Sequence, residues 1–320
     1  MSPHDGAPVT TVLAYPDYPD NPWQRVVYSA FSAAGGRVLP LERIGELAAA
    51  AAAVRRDGGR CVLHLNWTAP ISQASPSIAD SARAVDEAVT AIRAFLADGG
   101  RLVWSVHNVL PHELHHFAPE VILCRALAEA AHAIVIMNPA TPTLMAPLCA
   151  LDPARTVTID HPRYLGEFDD TVTRAEARER LGLDPDDVAT LFFGLIRPYK
   201  GVESVVDAFD RFDDPRRRLL VAGATGPGYS PDEVDRMLHP RPWLTRHRDR
   251  VPDDEVQLWF AASDLVVLPY RRGLNMSVLL LAATFGTPSI VRGIPGTEYL
   301  ADERWIARVD DDDARFAASL

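Results

Sequence analysis

The sequence predicts two doubly wound parallel α/β domains, and three observations carry that prediction. Apolar, β-branched runs of strand length alternate with segments of helical periodicity from residue 9 to residue 292, which is the pattern of βαβ units and so of parallel sheets. At 320 residues the chain is long enough for two domains of ordinary size. The alternation breaks at Pro162, and the next helical pattern begins only near Thr173. The expected division is an amino-terminal domain over residues 1–161, a hinge over 162–186 and a carboxyl-terminal domain over 187–320.

In the first half, strands are expected at 9–14, 37–41, 61–66, 102–106, 133–137 and 156–159. Helices are expected from about residue 22, over 44–55 and over 78–96. Pro22 suits a first helical turn and Asn21 suits its cap. Residues 48–53 are all alanine and read as helix filler. The segment 67–77 is polar and punctuated by proline, so it reads as a loop at the carboxyl edge of the sheet. In the second half, strands are expected at 188–196, 219–222, 245–251, 264–269 and 289–292, with helices over 202–211, 231–238, 253–262 and 275–285. The Gly-rich exit at 223–228 is either a turn or one wall of a ligand pocket, because glycine suits both. Gly-x-Gly-x-x-Gly does not follow the first strand.

A net charge of -11 and a pI near 5.4 argue against a nucleic-acid binder, which needs a basic face to displace counterions. The chain has no charged-then-apolar leader and no uninterrupted apolar run of about 18 residues, so the expectation is a soluble, cytoplasmic protein. Cys61, Cys124 and Cys149 are odd in number and far apart, which fits neither a disulfide framework nor a metal site; they read as reduced core residues.

The chemistry concentrates in residues 192–201, Phe-Phe-Gly-Leu-Ile-Arg-Pro-Tyr-Lys-Gly. A strand runs here into a helix, and the turn between them lies at the carboxyl end of the strand, where α/β sheets bind ligands and where a helix start offers N–H groups to an anion. Lys200 is the only lysine among 32 basic residues. A compact, rotatable ammonium three residues after Arg197 points to use of its own chemistry rather than to a generic surface cation. Gly-Leu-Ile-Arg-Pro-Tyr-Lys-Gly-Val followed by an amphipathic helix resembles the donor-diphosphate motif of the GT-B glycosyltransferases of the family 4, bacterial polysaccharide type.

The resemblance implies a GT-B fold, two Rossmann-like domains facing a cleft, with the acceptor held by residues 1–161 and the nucleotide-sugar by residues 187–300. It implies glycosyl transfer from a UDP- or GDP-linked sugar to a hydroxyl of a glycan, lipid-linked saccharide or small molecule. Retention of configuration, no required cofactor or catalytic metal, and peripheral contact with the inner membrane face go with it. Arg197 and Lys200 map onto the diphosphate-binding pair, with Gly194 in the same turn. His107, at the end of a strand, maps onto a histidine that faces the transferred sugar; without the resemblance, a strand-end histidine bonding a neighbouring carbonyl is as good a reading. The Asn21–Trp23 segment, His112 and Glu113 map onto the acceptor side. Trp67 either stacks on an acceptor sugar or covers the core, and His161 either faces the site or packs in the hinge. The surroundings of Val251 map onto the nucleotide base, Asn275 and Ser277 onto the diphosphate or sugar, and Glu298 onto a sugar or ribose contact, unless it merely starts a helix.

Two departures open alternatives. The usual Glu-x7-Glu pair falls on Gly273 and Leu281, so both carboxylates are missing, which keeps open a non-catalytic protein that binds nucleotide-sugar or serves a partner. After Val309 an acidic run leads to Leu320, short of the terminal helices usual in the family, so a truncated chain or a lack of those helices is expected. Finally, His112-Glu113-Leu114-His115-His116 matches His-Glu-x-x-His and suggests a zinc metallohydrolase using His112, Glu113 and His116, although a third ligand is not obvious.

Overall fold

The computed structural model describes residues 9–309 and 312–318. The chain divides into two compact units after Pro162. The first unit contains β1 (Thr10–Tyr15), α1 (Pro22–Ala33), β2 (Arg37–Pro40), α2 (Leu47–Arg56), β3 (Arg60–Leu65), α3 (Ala69–Ser72), α4 (Ile78–Ala97), β4 (Arg101–Val106), α5 (Phe117–Ala130), β5 (Ala133–Ile136), α6 (Thr141–Met145) and β6 (Thr156–Thr158). Its six strands are parallel, in the order β2-β1-β3-β4-β5-β6. Helix starts follow local chemistry: the Asn21 side chain accepts from the N–H groups of Trp23 and Gln24 at 3.0 and 3.4 Å, and Ser77 accepts from Asp80 N–H at 3.1 Å.

The second unit contains α7 (Arg174–Arg180), β7 (Val188–Phe193), α8 (Val202–Phe209), β8 (Arg217–Ala222), α9 (Pro231–Met237), β9 (Leu244–His247), α10 (Val256–Ala262), β10 (Leu265–Leu268), α11 (Ser277–Thr284), β11 (Ser289–Arg292), β12 (Ile306–Val309) and α12 (Asp313–Ala318). Its parallel order is β12-β11-β10-β7-β8-β9, the doubly wound Rossmann arrangement with β7 as the first, central strand. Ala189, Leu191 and Phe192 of β7 are fully buried, as a strand covered on both faces must be. In each sheet the chain reverses its winding beside the first strand, between β1 and β3 and between β7 and β10. Ligands bind at such switch points, outside the carboxyl ends of the strands.

Several expectations shift for local reasons. The strand expected to Ile196 ends at Phe193, because Gly194 turns out at φ +90°; Ile196 keeps a single bridge to Thr225. The strand expected to Val251 ends at His247, after which Arg248 and Arg250 turn to ion pairs with Asp235 and Asp253 at 2.8 and 3.0 Å. The 67–77 loop contains α3, and α5, α6, β12 and α12 were not anticipated. Of the residues 162–186 read as hinge, all but Pro162 pack within the second unit: α7 lies against α10, and the buried Arg178 donates to the carbonyls of Ala262 and Asp184 at 3.0 and 2.8 Å. Asp310 and Asp311 of the acidic run lie outside the described residues.

Candidate functional site

In the second unit the chain leaves β7 through Gly194, passes Arg197 in extended conformation, makes a single 3-10 turn over Pro198–Lys200 and enters α8 through Gly201. Gly201 is obligatory: its φ is +67°, and a Cβ there would lie 2.6 Å from the Pro269 carbonyl oxygen. The turn is closed by Lys200 N–H to Arg197 O at 2.9 Å and backed by the Gly-rich loop, where Ile196 N–H donates to Ala224 O and Gly226 N–H donates to Ile196 O, both at 2.9 Å. From the β10–α11 connection, Arg271 N–H donates to Tyr199 O at 2.8 Å, while its guanidinium donates to Pro198 O at 3.3 Å and pairs with Glu203. The Arg272 guanidinium lies 5.8 Å from the Tyr199 ring centre.

This frame buries the only lysine. Lys200 is 8 % exposed, its Nζ lies 5.3 Å from the Tyr270 ring centre, and a Cβ on Gly194 would come within 3.2 Å of it. Val278, at the start of α11, lies 3.7 Å from the same point, so the α11 amino terminus, Gly194 and Lys200 share one corner. Among the described residues no carboxylate pairs with Lys200. Burial, and secondarily the Arg197 charge, pushes its pKa down to about 7. A buried ammonium beside an arginine and a helix start is a combination that suits an anion.

The other expected donor-side residues divide. Asn275 is half-buried and Ser277 exposed at the start of α11. Gly273 has open space around it and Leu281 is buried, so no carboxylate replaces the absent pair at either position. Val251 is buried in the exit of β9. Glu298 caps its own turn, accepting from Gly296 N–H at 2.8 Å, and stands 4.0 Å from Arg308.

In the first unit, the carboxyl ends of β1, β3 and β4 bring Tyr18, Trp23, Trp67 and His107 together. The Trp67 ring stacks on His107 at 4.3 Å and 22°, Trp23 meets His107 edge-on at 4.5 Å and 88°, and Tyr18 lies 5.2 Å from Trp67. Burial first, then the neighbouring His64 and His161, holds the His107 pKa well below the usual histidine value, so its imidazole is neutral. Beneath it, His64 spans Ser105 Oγ at 2.8 Å and Tyr28 OH at 3.1 Å. Asn21 does its work as a helix cap, and Trp23, 5 % exposed, walls the cluster from below; the exposed faces belong to Tyr18 and Trp67.

His112 and Glu113 are half-buried in an irregular segment that ends at His116, the residue before α5. The zinc reading is corrected here: residues 112–116 are not helical, and the His116 ring bonds the Ser75 carbonyl at 2.8 Å, so the two imidazoles do not share a helix face. Among the described residues no group of three His, Cys, Asp or Glu side chains could hold a metal ion.

Glu120 is the residue that sequence reasoning missed. It is 1 % exposed, accepts from Thr68 Oγ1 at 2.6 Å, from Ser72 Oγ and from Cys124 Sγ at 3.4 Å, and so ties α5 to the α3 segment that follows Trp67. It lines a cavity of about 30 Å³ with Asn66 and His107, room for about one water. Its only signal in the sequence was an acidic residue in the first turn of a helix.

Comparison with known proteins places residues 188–320 on the family model described as "Glycosyl transferases group 1". The GDP-mannose:glycolipid 4-beta-D-mannosyltransferase of Xanthomonas campestris pv. campestris is 27 % identical over 242 residues, 76 % of this chain and 64 % of that protein. The D-inositol 3-phosphate glycosyltransferase of Streptomyces bingchenggensis is 32 % identical over 152 residues, 44 % of this chain and 33 % of its own length. This chain therefore spans under two thirds of the curated relatives it matches. Among solved structures, Anabaena HepE in complex with UDP and glucose superposes with a TM-score of 0.68 at 14 % identity, covering 97 % of this chain and 88 % of that one. WaaG, a glycosyltransferase involved in lipopolysaccharide biosynthesis, gives 0.65 at 15 % identity with the same coverage. Together with the two parallel sheets, these likenesses establish a two-domain, Rossmann-like GT-B fold.

Proposed function

We propose that this chain, whose residues 188–320 match the glycosyl transferases group 1 model, is a glycosyltransferase that moves a sugar from a nucleoside diphosphate sugar to a hydroxyl acceptor. The observation that carries the proposal is the Gly194–Gly201 turn, in which the buried Lys200, the only lysine of the sequence, stands beside the start of α11 with Arg197 in the same turn. When the glycosidic C–O bond breaks, negative charge develops on the departing diphosphate. Lys200 and Arg197 are already held in place, so stabilising that charge costs no reorganisation at the moment of reaction. Gly194 leaves room for phosphate oxygens beside Nζ, Asn275 and Ser277 contribute polar contacts to the diphosphate or sugar, the backbone around Val251 takes the base, and Glu298 takes a sugar or ribose hydroxyl.

On the acceptor side, Trp67 and Tyr18 offer aromatic faces to a sugar, and His112 and Glu113, half-buried in the segment before α5, offer polar contacts to it. The neutral His107 donates or accepts hydrogen bonds without placing a charge there. The relative named for GDP-mannose and a glycolipid, and the neighbour bound to UDP and glucose, make GDP- and UDP-linked hexoses the donors to try and a lipid-linked saccharide the acceptor to try. Such an acceptor would bring the protein to a membrane surface peripherally; among the described residues no helix is long and apolar enough to cross one. Retention of configuration belongs to the proposal through the family resemblance, and the anomer of the product, read by NMR, tests it.

The assay is release of nucleoside diphosphate from GDP-mannose and from UDP-glucose with a glycolipid acceptor. Lys200→Ala should lower kcat/KM by about 10²-fold or more, the loss typical of removing one preorganised charge-stabilising donor. Turnover unaffected by that change would refute the assignment. Gly273 and Leu281, where carboxylates would be expected, favour a second reading, a nucleotide-sugar-binding protein without turnover. Tight nucleotide binding with no product from any donor would select it.

A further inference from the structure

Arg292, the last residue of β11, is the largest of the fully buried side chains among the described residues. Burying a guanidinium is costly unless acceptors surround it, so what it bonds to is informative. Its Nε donates to Pro269 O at 3.1 Å and its Nη2 reaches Ser204 Oγ at 3.4 Å. Both partners converge on one residue: Ser204 Oγ donates to Gly201 O at 2.8 Å, and Pro269 O is the atom that Gly201 packs against. Gly201 directly follows Lys200. On its other side the Arg292 guanidinium lies 4.8 Å from the ring centre of Phe316, a fully buried residue of α12, the helix that packs on α8.

We infer that Arg292, backed by Phe316, is a positioning residue for the Lys200 turn: it holds Gly201 against the end of β10 and so sets where Lys200 Nζ stands. The inference rests on reading that turn as the donor-diphosphate site. Arg292 acts from beneath and does not meet the ligand. The guanidinium suits the position because its Nε and Nη2 reach Pro269 O and Ser204 Oγ from a fixed planar fork while its Cζ stays within 4.8 Å of the Phe316 ring centre, a spacing that a single ammonium nitrogen does not reproduce. The competing reading, a buried arginine that serves only the core, predicts loss of stability and nothing else.

The experiment compares the full-length chain with Arg292→Lys and Phe316→Leu by calorimetric titration with UDP and GDP at several pH values, alongside thermal melts. The expected result is that Arg292→Lys stays folded and weakens the Kd of whichever nucleotide binds by about tenfold or more, the scale of one misplaced charge-assisted hydrogen bond. The pH midpoint of binding should also rise, because Nζ is displaced from its dry pocket. Phe316→Leu should do the same to a smaller degree, and it decides the matter if Arg292→Lys does not fold. Folded variants that melt lower but keep the wild-type Kd and pH midpoint overturn the inference and leave the donor site standing. A wild-type chain that binds neither nucleotide overturns the donor-site reading and this inference with it.

Discussion

Raising pH from 7 to 9 should strip nucleotide affinity from this protein, and the size of the loss follows from Lys200. In the unliganded chain its pKa is held down to about 7 by burial and by Arg197. A bound diphosphate supplies the missing counter-charge and draws the amine back to its protonated form. About half of Lys200 is charged at pH 7 and about 1 % at pH 9, so Kd should rise by about 50-fold between pH 7 and 9. The phosphate itself, with a second pKa near 6, is already ionised throughout that window and does not contribute. Titrations in buffers of different ionisation enthalpy should show uptake of about half a proton per nucleotide at pH 7, approaching one at pH 8 to 9. The same shift has a stability consequence. The folded-state pKa lies below the unfolded value of 10.5, so the unliganded protein carries a burden on the order of 4–5 kcal/mol that is full below pH 7 and is relieved as pH rises toward 10.5. Lys200→Met should accordingly raise the melting temperature while abolishing nucleotide binding. A Kd independent of pH, with no proton uptake, would refute the reasoning.

Gly201→Ala forces a Cβ to within 2.6 Å of Pro269 O at a positive φ, and should cost about 1–3 kcal/mol in denaturant unfolding as well as nucleotide affinity. His64 and His161 have folded-state pKa values of about 4 against an ordinary 6.5, so their contribution is intact above pH 6.5 and is lost as pH falls toward 4; urea unfolding at pH 7 and pH 4.5 should differ by about 2–3 kcal/mol for the fully buried His64 alone. Trp67→Ala removes the ring stacked on His107 and should raise the acceptor KM about tenfold while leaving the nucleotide Kd unchanged, measured by titration and by initial rates.

Much of the fold could be read from the chain because strands buried on both faces appear as continuous apolar runs, as β7 and β10 do. The Arg197–Gly201 turn was legible for a different reason: a single lysine in an arginine-rich chain stands out before any geometry is known. What makes that lysine unusual was not legible. Tyr270 and Val278, which dry its pocket, lie seventy or more residues away, and Arg292, which props the turn, read only as the end of a strand. Helix α5 was hidden because its exposed face carries Phe117 and Ile122, so its apolar residues do not fall on one stripe. The resemblance set the Asn21–Trp23 segment on the acceptor side, whereas Trp23 turns inward because His64 and His107 wait at the ends of two other strands. His112–His116 shows the converse, a motif whose spacing means nothing once Pro111 and the turn beside Gln73 hold the segment out of a helix.

One lysine in the whole sequence allows the central claim to be observed at a single atom. NMR of the full-length chain labelled with 13Cε-lysine will give one signal, from Lys200. The account predicts that this signal titrates near pH 7 in the unliganded protein, and that adding UDP or GDP moves it and raises its pKa toward the ordinary lysine value. A lysine that titrates near 10.5 and does not respond to either nucleotide would contradict the account.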